Sequence, residues 1–477
     1  MAGTRTERKR VKGKRRRGEA ITMAEKQKGF GSTLLLIIGC LLPLILLFVL
    51  SGMGISISPW VFLLILIVCP LVLAKLIRDG KEEETPEPEK VDKESALKKR
   101  FVEPEALKEM TDLFSWDVFF LKGTAISGES VVFEGSLKAR PDDALATLRK
   151  RFKDRFGDRY EVLLQQDHED KPVVVVLPSK LLPNTQTTSS PSPFLNILLF
   201  AATLVTTTAV GAAHHGADLL SEPLRFVEGL PYALGIMAVL GVHELGHYIT
   251  ARRHGLDTTL PFFIPVPFGL GTFGAVIQMR SLVKDRKALF DTGIAGPLAG
   301  LAVALPLLFI GIKYSTFITG DTGGGVNVSS SALLAFLAKL SVGEAVSASH
   351  TVILHPLAFA GWLGLMITAL NLLPIGQLDG GHVGYALFGR KRAETIAHVA
   401  FFAIVMLGIF VWTGWLAWAL IVFFLSGFKA MPPIDDVTEL DRKRVALGAF
   451  AFVLLFLILS PMPHAFQKTL GLHCPYV

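Results

Sequence analysis

Three residues in the segment HELGH have the types and the spacing that metal-dependent hydrolysis requires. His243 and His247 are four residues apart, so on a helix both imidazoles lie on one face and can bind a single ion. Glu244 follows the first histidine and can act as a general base toward water on that ion. Zinc would lower the pKa of such a water molecule toward about 7 and polarise a scissile carbonyl.

A catalytic zinc ion also needs a third protein ligand and an open position for water. Asp379, in the segment NLLPIGQLDGGH, is the best candidate. Pro374 and Gly376 end the apolar run before it, and the expected topology places this acid at the depth of His247. His382 is the second candidate. A turn or N-cap role is the alternative for Asp379.

The other polar residues near apolar runs are weaker candidates. His355 is expected toward the opposite membrane face, and the pair His214-His215 is expected in a solvated outer loop. Asn371 is a candidate for binding the substrate or the oxyanion, with a polar packing contact as an equal alternative.

The elements that position these residues are predicted to be membrane spans. The 477 residues are 51% hydrophobic and only 19% charged, which is too apolar for a soluble globular protein. We predict a mainly α, polytopic membrane protein of about eight or nine transmembrane helices, with a small soluble α+β domain inserted before the catalytic core. The predicted spans are 33–50, 59–77, 193–213, 230–251, 290–312, 351–373, 395–412, 415–428 and 445–459.

The predicted domain organisation has five parts: a basic N-terminal tail at 1–28, a transmembrane hairpin at 29–77, a linker and α+β domain at 78–190, the core at 191–392, and C-terminal spans at 393–477. In the α+β domain, alternation predicts strands at 130–137, 160–164 and 173–177. A helix should begin at Pro141 and end at Gly157. This βαββ unit contains no cluster of candidate ligands, so a recruiting or regulatory role is expected.

Basic residues flank the apolar runs in a pattern that predicts orientation. With the N-terminus in the cytoplasm, the basic loops and the 78–190 domain lie inside and the C-terminus lies outside. A bacterial plasma membrane is the expected location. The formal net charge of +7 is therefore interpreted as a topology signal, and no nucleic-acid partner is expected. Three cysteines provide no disulfide framework.

The segment 260–281 cannot form a regular helix, because it contains three prolines and three glycines up to Gly274. Such backbone at membrane depth is tolerated only against protein or a water-filled cavity. We interpret it as a re-entrant hairpin, with an ordinary loop as the alternative. Residues 272–278 offer an extended edge for a substrate strand, and Gly274 is a candidate substrate contact.

The motifs HELGHYITARRHG, GPLAG at 296–300 and NLLPIGQLDGGH occur in the order found in the site-2 protease family of intramembrane metalloproteases, which the segment 193–392 resembles. The resemblance implies that His243, His247 and Asp379 bind one zinc ion and that Glu244 is the catalytic base. Lacking an inserted PDZ-like domain, the chain is most similar to the plant chloroplast and cyanobacterial-type branch. Residues 135–138, with the sequence Gly-Ser-Leu-Lys, take the place of that branch's Gly-Asn-Leu-Arg sequence and depart from it at the second and fourth positions. The motif 296–300 is expected to allow close helix packing.

The function expected from these features is zinc-dependent intramembrane endopeptidase activity on single-span membrane proteins within the lipid bilayer. Two alternatives are a membrane protein that binds or transports a metal and a catalytically silent relative that acts by binding. Only the peptidase requires Glu244.

Overall fold

We describe the protein from a computed structural model. The described residues are 104–127, 130–167, 171–181, 193–319, 332–342, 350–410, 414–428 and 430–460. The predicted tail at 1–28 and transmembrane hairpin at 29–77 lie outside these residues. One compact unit comprises Phe101–Ala400 and Ser426–Val477, and Phe401–Leu425 belongs to another.

The α+β module at 104–181 contains one more strand and one more helix than its sequence pattern predicts. Its antiparallel sheet has the order β1-β2-β4-β3. The predicted βαββ order is wrong because β1 was missed. A register shift between Leu121 and Gly123 interrupts the alternation on which strand prediction depends. The elements are α1 (Pro104–Asp112), β1 (Phe119–Ser127), β2 (Ser130–Leu137), α2 (Pro141–Phe156), β3 (Tyr160–Gln166) and β4 (Pro172–Pro178).

Helix α2 covers one face of this sheet. It begins at Pro141, and Gly157 follows its end at φ 64°, as the sequence predicts. Leu148 and Phe152 of α2 pack with Phe133 of β2 in a core from which water is excluded. Gly135 of β2 belongs to this packing, because a β-carbon there would collide with the Phe119 ring.

The remaining described helices are predominantly apolar. Four segments are long and apolar enough to cross a membrane: Pro193–His214, Pro223–Arg253, Arg286–Lys313 and Asp379–Phe410. The predicted total of eight or nine spans includes residues that are not described and stays a prediction. The helices are α3 (Pro193–His214), α4 (Leu230–Arg253), α5 (Arg286–Lys313), α6 (Ala332–Val342), α7 (Pro356–Asn371), α8 (Asp379–Phe410), α9 (Gly414–Leu425) and α10 (Arg442–Leu459).

Two of the predicted spans differ from the observed helices. The span predicted as 395–412 is shorter than α8, because α8 consists of two helical parts joined across a kink at Gly389 (φ 75°, ψ 170°) and the prediction covers only the second part. The region predicted as 415–428 contains the 12-residue helix α9, which at 1.5 Å per residue covers about 18 Å and is shorter than a bilayer core. In its own unit, Gly408 of α8 faces Leu416 of α9 across a gap without room for a β-carbon.

Among the described residues, two pairs of antiparallel strands connect the helices of the bundle. Strands β5 (Phe262–Pro265) and β6 (Thr272–Val276) pair between α4 and α5. Strands β7 (Thr316–Thr319) and β8 (His350–Ile353) pair before α7. The span predicted to begin at residue 351 is therefore helical only from Pro356, where the His355 side chain caps the helix.

Helices α4, α5 and α7 form the core of the bundle. Their apolar cluster includes Val239, Leu308 and Leu365, each almost completely buried. The backbones of helices α5 and α7 are in direct contact at Gly361. A β-carbon at this position would lie 2.5 Å from the Leu308 backbone nitrogen. This close approach depends on glycine.

The substitution Gly361→Ala is expected to lower the free energy of unfolding by about 1–3 kcal/mol, because the added methyl group forces the two helices apart. Gly241→Ala is the matched control, since its β-carbon would meet only Phe263, at an ordinary 3.7 Å. Thermal unfolding in detergent measures both. Equal transition temperatures for the two variants would contradict the proposed close packing.

Candidate metal centre

Helix α4 presents the two histidines of HELGH on one face. The Nε2 atoms of His243 and His247 are 3.1 Å apart, and both side chains are buried. This is the arrangement that the spacing of four residues predicts for a helix. Both rings therefore point to one position inside the bundle.

Asp379 approaches the same position from the first residue of α8. Its Oδ2 atom lies 3.2 Å from Nε2 of His243 and 3.2 Å from Nε2 of His247. The turn between α7 and α8 brings the acid there, with Gly376 at φ 49°. The Ser426 hydroxyl holds this turn by accepting from the Gln377 backbone N–H at 2.7 Å.

The three donor atoms form a triangle that fits a tetrahedral ion. Bonds of about 2.0–2.1 Å to nitrogen and oxygen, as zinc prefers, give ligand-to-ligand distances of about 3.3 Å. The observed distances are 3.1–3.2 Å. Among the described residues, His243, His247 and Asp379 are the group of this kind that could hold a metal ion. Two imidazoles and one carboxylate leave a fourth position open, as catalytic zinc sites do.

The surroundings of His247 orient its ring for metal binding. Its Nδ1–H donates to the backbone carbonyl of Thr292 at 2.7 Å. With the proton on Nδ1, the lone pair of Nε2 points to the shared position. Thr292 lies on α5, so that helix sets the orientation of a ligand carried by α4.

Two glycines of the segment 296–300 make room for the histidines. A β-carbon at Gly296 would collide with the His247 ring, and one at Gly300 would lie 3.2 Å from Nδ1 of His243. The sequence predicts close helix packing for this segment but assigns it no part in the site. The sequence does contain a signal for this role: Gly296 and Gly300 are four residues apart, as are the two histidines that they face.

Glu244 is 7% exposed and lies beside the β5–β6 hairpin. The backbone of Ile277, directly after β6, lies close to its carboxylate. Asn371, at the end of α7, places Nδ2 3.5 Å from Nε2 of His243, beyond normal hydrogen-bond length. Gly274 lies on β6 at φ 98°, and the position of its absent β-carbon is open.

The alternative ligands lie elsewhere. His382 is in the first turn of α8 outside the donor triangle, and its buried Nδ1 has no hydrogen-bond partner among the described residues. His214 contacts the carbonyl of Gly269 at 3.2 Å, and His355 caps the end of α7 that is remote from Asn371. The expectation that the pair at 214–215 and His355 stand apart from the site agrees with these positions.

Two family models match this chain, one over the part that contains the donor residues and one over most of the α+β module. The family model for peptidase family M50 matches residues 231–411, which include all three donor residues and Glu244. The EGY3 middle domain matches residues 108–185, which include most of the α+β module.

The curated relatives are zinc metalloproteases by name. "Probable zinc metalloprotease EGY1, chloroplastic" of Arabidopsis thaliana is 30% identical over 78% of this chain and 74% of its own length. "Probable zinc metalloprotease EGY2, chloroplastic" of the same plant is 34% identical over 74% of this chain. The Oryza sativa subsp. japonica "Probable zinc metalloprotease EGY3, chloroplastic" is 28% identical over 74% of this chain. The chain belongs to peptidase family M50.

Two facts limit what these relatives imply. The chain spans 64% of the length of the Arabidopsis EGY2 protein and 64% of the rice EGY3 protein. All three names include the word chloroplastic, so the bacterial plasma membrane expected from the sequence has no support among them. The apolar helices do agree with a membrane-embedded protein.

The substitution Gly296→Ala is expected to weaken zinc binding by about 10- to 100-fold, the range for groups that orient metal ligands, because the methyl group displaces the His247 ring. The zinc dissociation constant is measured by competition with a chelator. Gly311→Ala, whose β-carbon would collide with the Ala358 backbone at a position 15 residues further along α5, controls for general crowding. Unchanged zinc affinity in Gly296→Ala would contradict the close fit around His247.

Proposed function

We propose that this chain is a zinc-dependent endopeptidase that hydrolyses peptide bonds within or next to transmembrane segments of other proteins. The donor triangle of His243, His247 and Asp379, with Glu244 beside it, carries this proposal. Membership of peptidase family M50 and the names of the zinc metalloprotease relatives support it.

The roles of the residues follow from their positions. His243, His247 and Asp379 would hold one zinc ion, which when bound activates water and polarises the scissile carbonyl. The Glu244 carboxylate would accept a proton from the attacking water and donate it to the leaving amine. Asn371 can turn its amide toward the substrate carbonyl, since its present distance to His243 exceeds a normal hydrogen bond.

The β5–β6 hairpin is the proposed substrate platform. Asn196, near the start of α3, donates to the carbonyl of Pro261 at 2.8 Å. Ten residues further along α3, Thr206 donates to the carbonyl of Gly271 at 2.7 Å. The hairpin thus lies along a helix long enough to cross a membrane, which supports irregular backbone at membrane depth.

The outer edge of β6 can accept a substrate strand. In the described part of the chain β6 pairs only with β5, and the Phe273 and Val276 side chains are 64% and 50% exposed. Ile277, which continues this strand, contacts Glu244. A substrate that adds to this edge in extended form would present its backbone carbonyls beside the proposed general base.

Single-span membrane proteins in the lipid bilayer are the proposed substrates. A helical span hides its carbonyls in its own hydrogen bonds, so it must unwind before water can attack. We place the module and the basic loops on one side of the membrane and the C-terminus on the other, following the distribution of positive charge.

Glu244→Gln is expected to keep its zinc and to lose at least about 100-fold of the cleavage rate, since general acid–base catalysis contributes about 10²–10⁴-fold. Metal analysis of the purified protein and cleavage of a single-span substrate in proteoliposomes measure the two effects. Asp379→Ala is expected to lose both the bound zinc and the cleavage activity.

The control is Glu222→Gln, which alters an exposed carboxylate paired with Arg225 and is expected to cleave normally. Full cleavage by Glu244→Gln would contradict the peptidase proposal. Metal binding with no cleavage by the unaltered protein would favour the alternatives, a metal carrier or a catalytically silent relative.

Substrate residues that favour unwinding are expected to speed cleavage. Replacing one Gly by Leu near the scissile end of a substrate span adds about 1 kcal/mol of helix stability, which corresponds to roughly fivefold slower cleavage. The same replacement at the far end of the span is the control. Equal rates for both substrates would contradict the unwinding step.

A further inference from the structure

The α+β module is joined to the core by backbone hydrogen bonds. Leu164 on the edge strand β3 donates to the carbonyl of Ile434 and accepts from Asp436, both at 2.9 Å. On its other side, Ile434 donates to the carbonyl of Val283 at 2.8 Å. The segment 434–436 thus lies between the module's sheet and the extended chain that leads into α5, and Ile434 is buried in the module's own core.

A buried polar network lies at this seam, by which we mean the backbone contacts of segment 434–436 with β3 and with the chain before α5. Asp436 is completely buried, and its Oδ1 accepts from Nε of Arg286 at 2.9 Å while its Oδ2 accepts from the Tyr385 hydroxyl at 2.8 Å. Nη2 of Arg286 also donates to the side chain of Gln166 in the module at 2.9 Å. Burial raises the pKa of Asp436, and Arg286 and Tyr385 oppose that shift.

The network connects the two helices that position the donor triangle. Arg286 is the first residue of α5, six residues before Thr292, whose carbonyl orients His247. Tyr385 lies six residues after Asp379 on α8. Six helical residues cover about 9 Å, so the network lies less than two helical turns from Thr292 on α5 and from Asp379 on α8.

The space between the network and the metal centre is tightly packed. A β-carbon at Gly293 of α5 would lie 3.1 Å from Cβ of His382 and 3.2 Å from the Asp379 carbonyl. At the break in α8, a β-carbon on Gly389 would lie 3.2 Å from the Arg286 guanidinium. Close-packed interiors transmit displacement rather than absorb it.

We propose that Arg286, Asp436, Tyr385 and Gln166 are positioning residues, through which the α+β module sets the placement of α5 and α8 and thereby the geometry of the metal centre. The catalytic part of this inference rests on the proposed peptidase function. The module is then a part of the catalytic unit, and a molecule that binds it can alter the metal centre without touching the substrate.

Two mild variants test this coupling in the full-length protein purified in detergent. Tyr385→Phe removes one oxygen from the network on the side of Asp379, and Gln166→Leu removes the contact to the module. Each is expected to raise the zinc dissociation constant by about tenfold, measured by chelator competition, and to lower kcat about tenfold with an unchanged KM. KM stays constant because neither residue faces the substrate platform.

Two control variants in the module lie outside the network. Tyr160→Phe removes the same oxygen from β3, and Arg155→Gln breaks an exposed pair with Glu109; both are expected to keep zinc affinity and kcat. The coupling is overturned if Tyr385→Phe and Gln166→Leu also keep normal zinc affinity and kcat. It is also overturned if these variants only reduce the yield of folded protein and the folded molecules bind zinc normally. If the unaltered protein cleaves no substrate, the peptidase proposal fails, whereas a tenfold change in zinc affinity still supports the coupling.

Discussion

The structure depends on bringing three polar side chains from two separate helices to one point inside an apolar bundle. Buried imidazoles and a buried carboxylate are costly unless they are paired or bind a metal ion. The distances of 3.1–3.2 Å among His243, His247 and Asp379 match the edges of a zinc coordination shell, so a bound cation would compensate the lone pairs that converge there. Most features of the surrounding bundle can be understood as means of holding this triangle.

Glycines are the first of these means. Gly296 and Gly300 let α5 lie directly against the rings of His247 and His243, and Gly361 lets α5 and α7 meet backbone to backbone. Without a strong hydrophobic force between helices in lipid, small residues provide the close contact on which packing depends. Helix α5 also supplies the Thr292 carbonyl that orients His247. The packing of α5 and the orientation of the His247 ring therefore depend on each other.

The soluble module extends this arrangement beyond the bundle. Its sheet continues through the segment 434–436 to the start of α5, and the buried pair of Arg286 and Asp436 lies at that seam. Gln166 of the module accepts a hydrogen bond from Arg286, and Leu164 forms backbone hydrogen bonds with residues 434 and 436, so the module and the start of α5 are held in one relative position.

The features that depend on local periodicity could be predicted from the amino-acid sequence. Residues four apart share a helix face, so HELGH predicts two convergent imidazoles, and Pro141 and Gly157 mark the ends of α2. Strand β1 escaped prediction because its irregular register hides the alternation. Three features became apparent from the folded chain alone: Asp379 rather than His382 completes the triangle, Gly296 faces His247, and residue 434 belongs to the module's core. These contacts join residues far apart in the chain, and no local pattern encodes such a distance.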